Sequence, residues 1–219
     1  DEAAAAQALV DLLIPVVKGW CTESAVEIAS TGVQVHGGMG FIEETGAAQH
    51  FRDARITPIY EGTTAIQAND LVGRKIARDG GAAAGHLIQA IEATAAKLSG
   101  AAQPEIAALG QALKAPTARL RDAVDWVLAT HGANPAQTAA AAVPLLYQFG
   151  TTIGFWLVAR QAARAEELLG ESGADAAFLR GKIALAGHFA GHLLPHAEGY
   201  FLAATQGAAS VAAFDIAGI

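Results

Sequence analysis

Cysteine is almost missing from this 219-residue chain, where Cys21 stands alone. No intrachain disulfide can therefore staple the fold, and a reducing compartment, the cytoplasm, is the expected setting. Cys21 itself is expected to be a small buried packing residue. Aromatic residues are also scarce, at 6% against 53% hydrophobic residues in total. The interior is then built from Ala, Leu, Val and Ile, and side chains this small let helices approach one another closely. Basic charge is in short supply: 14 Lys and Arg face 21 Asp and Glu, for a formal net charge of -7. That balance excludes the positive footprint with which proteins neutralise nucleic-acid backbones. The opening residues DEAAAAQALV lack the basic stretch of a signal peptide. The only methionine is Met39, so the chain is expected to be a piece of a longer polypeptide.

Strand patterning is absent as well. No alternating apolar and polar run of convincing length occurs, and no repeat of fixed period emerges. The expectation is an all-α fold, a helical bundle followed by a second helical domain. Residues 134–159 carry no charge and cover the ~20 residues a bilayer demands. Pro135, Gln137, Thr138, Pro144, Gln148, Thr151 and Thr152 interrupt the run, which favours a helix buried among other helices over a membrane span.

Apolar Val17, Trp20, Cys21, Ala25, Ile28 and Ala29 recur at three- and four-residue steps, predicting a helix over residues 16–35 with Pro15 in its first turn. Residues 3–13 then belong to an earlier helix. Gly37 and Gly38 stop the predicted helix. A short helix is expected over residues 45–53, and Pro58 biases Thr57 towards extended backbone and ends it. The next helix starts near Glu61, Gly62 and Thr63 and runs through Ile66, Leu71, Val72 and Ile76, so its boundary falls at Glu61. Asp79, Gly80 and Gly81 form the clearest linker, dividing residues 1–80 from residues 81–219. Beyond it, helices are expected over residues 83–99, 104–130, 135–170 and 174–206, with Pro116 and Pro144 kinking or splitting two of them.

The segment QHFRDARITPIYEGTTAIQ, residues 49–67, sets Glu61 directly after Tyr60 and before Gly62. A carboxylate held there by an aromatic ring and a helix start has the setting of a general base. The unsatisfied N–H groups of that helix start can polarise a ligand carbonyl. Gly37, Gly38 and Gly40 in VQVHGGMGF follow a helix rather than a strand, unlike a dinucleotide fingerprint, and by themselves only turn the chain. Arg52 and Arg55 are read as structural salt-bridge partners. His188, His192 and His196 recur at metal-ligand spacing, but Pro195 disturbs the register and no carboxylate completes the set, so no metal is expected.

QVHGGMGF, FRDARI and IYEGTTAIQ, in that order, resemble the C-terminal part of the acyl-CoA dehydrogenase family, flavoproteins of fatty acid metabolism that introduce a 2,3 double bond into acyl-CoA thioesters. LLIPVVKGWCTES and the alanine-rich helices after Gly81 are similar to the subgroup with an added C-terminal helical domain. That subgroup includes enzymes acting on 3-methylmercaptopropionyl-CoA and on some long-chain acyl-CoAs. The resemblance implies that residues 1–80 are the C-terminal helical-bundle portion of the dehydrogenase core and residues 81–219 the added domain. It implies Glu61 as the base that removes the α-proton while hydride passes to flavin N5, with its backbone N–H on the thioester carbonyl. Gly62 makes room for the thioester, and Tyr60 lines the acyl pocket. Gln34, Gly37, Gly38 and Gly40 match the loop that contacts the adenosine diphosphate part of FAD in a neighbouring subunit. Thr63 and Gln67 match positions near FAD.

The implied partners are acyl-CoA, the chain's own missing N-terminal domains, further copies in a homo-oligomer, and an electron-transfer acceptor. A carboxylate working on so weak an acid as an α-proton needs a raised pKa, and burial against Tyr60 and the flavin is the expected cause. This fragment is expected to be inactive alone, because the family's flavin-holding β-domain is not in it. A competing expectation is that the part after Gly81 is a non-catalytic helical assembly module, or that the whole is a non-enzymatic binding protein.

Overall fold

The computed structural model describes residues 2–213, which contain helices and turns and no strand. Helix α1 spans Glu2–Val35. It runs through Pro15 without a break, where the sequence predicts two helices. Proline removes one backbone donor there, but Leu12, Pro15, Val16 and Gly19 form the buried stripe of α1. Burial of that stripe outweighs the lost hydrogen bond. Helix α1 ends where expected, at Gly37 with φ 61.

Helix α2 (Gly38–Phe41) and a 3-10 turn (Glu43–Thr45) lead through left-handed Gly46 into α3 (Ala47–Ile56). Thr57 is helical, with φ -64 and ψ -37, rather than extended before Pro58. Its hydroxyl and its N–H both donate to the Ala54 carbonyl. Those bonds draw Thr57 into the last turn against the steric bias of the proline. Helix α4 (Thr64–Asn69) continues into a π-helical stretch, Asp70–Ala77, that buries Leu71, Val72 and Ile76.

At the linker, the Asp79 carboxylate accepts from the Gly81 and Ala83 N–H groups. Gly80 and Gly81 both take positive φ. Helices α5 (Ala82–Ser99), α6 (Pro104–His131) and α7 (Pro135–Leu168) follow, and α6 and α7 pass unsplit through Pro116 and Pro144. The last predicted helix is instead divided. Helix α8 (Ala176–His188), π-helical Phe189–Leu193, α9 (His196–Leu202), π-helical Ala203–Gly207 and α10 (Ala208–Ala212) replace it, with Pro195 at the main interruption.

Helix α7 is the axis of the core, with Leu145, Leu146, Phe149 and Phe155 fully buried. Trp20 of α1 lies over Gly150 and Gly154 of α7, where a Cβ would collide with the indole. Two glycines thus seat the aromatic that ties the N-terminal helix to the rest, and one hydrophobic cluster runs from Leu12 to Ala208. By length and composition α1 and α7 are both apolar enough to cross a membrane. However, 61% of the apolar window of α7 is buried inside the protein, as befits a core helix, against 22% for α1.

Candidate active site

The segment between α3 and α4 is fastened to α1 from below. The Lys18 ammonium donates to the Thr57 carbonyl at 2.6 Å and to the Tyr60 carbonyl at 2.9 Å, and lies 5.5 Å from the Tyr60 ring centroid. The Thr64 N–H donates to the Pro58 carbonyl at 3.2 Å, and the Thr64 hydroxyl donates to Glu23 Oε1 at 2.5 Å. Pro58 and Thr64 are buried, so the segment is anchored at both ends.

Between these anchors Glu61 takes φ 53, the only positive φ at a non-glycine among the described residues, and Gly62 follows with φ 91. A left-handed residue with a Cβ costs of order 1–3 kcal/mol and persists only where its surroundings impose it. The helix boundary expected at Glu61 lies two residues later. Thr63 is the N-cap, its hydroxyl accepting from the Ile66 N–H at 3.4 Å. A threonine oxygen can cap a helix end, whereas Glu61 is turned out of helical geometry altogether. Glu61 and Gly62 N–H groups make no hydrogen bond among the described residues. The turn therefore offers two adjacent free donors beside one carboxylate. Glu61 is exposed and Tyr60 is 50% exposed, so the expected burial of the one against the other is not found within this chain. Gln67 lies against Gly62, where a Cβ would come within 2.9 Å of its Nε2.

The second group of predicted residues sits at the far end of α1. Gln34 is exposed in its last turn, and Gly37 and Gly38 face open space, with nothing within 4 Å of an added Cβ. Gly38 has ordinary backbone geometry, so nothing inside the chain demands a glycine there. A backbone left bare on its outer side fits close approach by a group such as a cofactor phosphate. Gly40 differs: it is buried, and a Cβ would strike the Val33 carbonyl. Helical rise puts Gln34 about 24 Å along α1 from Lys18, which anchors the Glu61 segment. The two groups thus cannot touch the same part of one small molecule.

Other expectations resolve individually. Arg52 forms a bidentate pair with Glu43, at 2.9 and 2.7 Å, whereas Arg55 has no ion pair among the described residues. Cys21 is exposed rather than buried, because the buried stripe of α1 passes on the other side of it. The rings of His188 and His192 stack with centroids 4.4 Å apart, and His196 pairs with the Tyr200 ring. Among the described residues no three His, Cys, Asp or Glu side chains converge as metal ligands do. Sequence reasoning missed Lys18 and Glu23. The available clue was that Lys18 is the only Lys or Arg before Arg52, set within an apolar helix stripe.

Comparison with known proteins bears on both halves of the chain. Residues 2–76 match the family described as "Acyl-CoA dehydrogenase, C-terminal domain", and residues 87–215 match "Acetyl-CoA dehydrogenase C-terminal like". The chain is 52% identical over 193 residues to 3-methylmercaptopropionyl-CoA dehydrogenase of Ruegeria pomeroyi, covering 87% of this chain and 32% of that protein. It is 36% identical over 191 residues to a broad-specificity linear acyl-CoA dehydrogenase of Mycobacterium tuberculosis, covering 84% of this chain and 31% of that protein. With a butyryl-CoA dehydrogenase of Syntrophomonas wolfei it shares 31% identity over 186 residues, covering 83% and 30%. The chain thus spans about a third of the length of these relatives.

Proposed function

Because the chain belongs to the acyl-CoA dehydrogenase family and covers its C-terminal helical part, we propose that it carries the catalytic base of an enzyme that desaturates an acyl-CoA thioester between carbons 2 and 3. The observation that supports this most is the backbone at Glu61: left-handed, anchored on both sides, and flanked by two unpaired amides. In this reading the Glu61 carboxylate takes the α-proton. The Glu61 N–H, with that of Gly62 beside it, holds the thioester carbonyl and so acidifies the proton removed. Gly62, without a side chain, leaves room for the thioester, and Tyr60 borders the acyl chain. Gln34, Gly37 and Gly38 would contact the adenosine diphosphate part of a neighbouring subunit's FAD, and Thr63 and Gln67 would lie near FAD. When bound, FAD supplies the hydride acceptor for the β-carbon. Gly40, packed inward, keeps the glycine loop in shape.

The exposed apolar residues Leu9, Val10, Ile14, Val17 and Ile28 on α1 support the reading that the remainder of a longer polypeptide covers this helix. In the full protein that cover would also exclude water from Glu61. This chain alone is then inactive. Titrating it with FAD should give no stoichiometric complex and no acyl-CoA-dependent reduction of an electron acceptor. The full enzyme is read as a cytoplasmic homo-oligomer that passes electrons to a separate acceptor. The division at residue 80 belongs to the same reading, and an assembly role for residues 81–219 is the competing one. Deleting residues 81–219 from the full protein should then disturb assembly or stability more than the chemical step.

The direct test is Glu61→Gln in the full-length protein. Flavin reduction by acyl-CoA should slow by about 10² to 10⁴-fold, with acyl-CoA binding retained because amide and carboxylate are nearly isosteric. A variant that reduces its flavin at the wild-type rate would move the base elsewhere.

A further inference from the structure

The geometry points to Lys18 as a positioning residue for Glu61, a role that rests on the reading of Glu61 as the base. Nothing in the local sequence of residues 57–63 makes a glutamate left-handed. Asn, Asp or Gly would adopt φ 53 far more readily. The conformation is imposed from α1. One ammonium binds the carbonyl of Thr57 at 2.6 Å and that of Tyr60 at 2.9 Å, gathering both ends of the turn that precedes Glu61. The Tyr60 carbonyl belongs to the same peptide unit as the Glu61 N–H. Because a peptide unit is planar, fixing that oxygen fixes the direction of the Glu61 N–H on its opposite side. Lys18 therefore sets the donor that would hold the thioester carbonyl, and with it the base that takes the neighbouring proton.

The second anchor works differently. Thr64 donates its hydroxyl to Glu23 and its N–H to the Pro58 carbonyl across the loop, so it fixes where α4 starts relative to Pro58 but makes no bond to the Tyr60–Glu61 peptide unit. Charge matters at Lys18 because an ammonium holds two carbonyl oxygens that would otherwise repel each other, and charged donors make the stronger hydrogen bonds. A neutral side chain of the same length fills the space and loses both bonds. Arginine keeps the charge and carries several donors, though with fork rather than point geometry.

The test uses the full-length flavoprotein with Lys18→Met and Lys18→Arg, and Glu61→Gln as the reference for the chemistry. Lys18→Met should slow flavin reduction at saturating acyl-CoA by about 10- to 100-fold, the scale expected when a reacting group is misplaced by about an ångström. Flavin content and melting temperature should stay at wild-type values, and Lys18→Arg should regain most of the rate. A reduction rate within about twofold of wild type in Lys18→Met would overturn the inference. So would a Lys18→Met variant that loses flavin or melting temperature in step with its rate without rescue by arginine, since that marks a purely structural lysine. If Lys18→Met cannot be purified folded, Lys18→Gln, which also removes the charge, is measured in its place against the same criteria. Should Glu61→Gln remain active, the base assignment fails and the role of Lys18 fails with it. If Glu61→Gln is inactive and Lys18→Met is normal, only the inference about Lys18 falls.

Discussion

The helices before and after the Asp79–Gly81 turn bury their apolar surfaces very differently. In α1, Leu9, Val10, Ile14, Val17, Ile28 and Val35 are exposed, Ile28 at 71%. In α7, Leu145, Leu146, Phe149, Phe155, Ala159 and Ala162 are at most 1% exposed. Both helices are long and apolar, so composition alone does not separate them. What separates them is whether the chain supplies its own cover. The later helices close on themselves around α7, while α1 contributes one stripe to that core and leaves another bare. The one strained non-glycine backbone position among the described residues, Glu61, lies in the uncovered half. The candidate base and the uncovered apolar surface therefore lie in the same half of the chain.

Paired truncations test that contrast most strongly. Phe149→Ala in the isolated chain should cost about 3–5 kcal/mol in denaturant unfolding, the range for losing a buried phenylalanine. Ile28→Ala should stay within about 0.5 kcal/mol, as expected for an exposed site. If the proposed cover reaches α1, the same Ile28→Ala change in the full-length protein should cost visibly more. Equal effects in both settings would show that the exposed face of α1 has no partner in the longer protein.

A smaller effect is expected inside α7. The Gln148 side chain is fully buried, and neither its nitrogen nor its oxygen has a hydrogen-bond partner among the described residues. Gln148→Leu removes two unpaired polar atoms at nearly constant volume, so unfolding should show no loss of stability and a gain of up to about 2 kcal/mol. A marked loss would mean that the amide has a partner, such as a buried water, worth keeping.

The subtlest contrast lies where the two halves meet. Tyr147 of α7 stacks with Tyr200 at 5.3 Å. Burial, helped by Glu23, Tyr200 and Glu27, pushes its phenol from 10.0 up to about 12. Above pH 10 the unfolded chain gives up this proton while the folded chain keeps it, so stability present below pH 10 falls as pH rises towards about 12. Tyr147→Phe should flatten that alkaline slope in thermal melts taken across the window. An unchanged slope would assign it to other groups, Tyr200 first.

Much of this was legible from local chemistry. Pro104 opens α6, the Asn134 side chain accepts from the Gln137 N–H at the start of α7, and Asp175 accepts from the Phe178 N–H at the start of α8. Those signals act within one turn of chain, and α5, α6, α7 and α8 begin within two residues of where the sequence places them. Readings failed where distant contacts decide. Pro15 stays helical because of its burial, and the Thr57 carbonyl is held by Lys18, 39 residues away in sequence, besides the local bonds of Thr57 to Ala54. Glu61 is lifted out of the helix by a lysine 42 residues away in sequence from Tyr60. The motif around Glu61 could be read from sequence, but the clamp that shapes it could not, since it joins two segments that no local pattern pairs.

The central claim is that the Glu61 carboxylate takes the α-proton, and it is most directly tested with that step isolated. An acyl-CoA analogue with sulfur in place of the β-carbon can lose an α-proton but has no β-hydride to give. Incubated in D₂O with the full-length protein, it should gain deuterium at the α-carbon, read by mass spectrometry. With Glu61→Gln, exchange should fall to the uncatalysed rate although the analogue still binds. Exchange at the wild-type rate in Glu61→Gln would contradict the account.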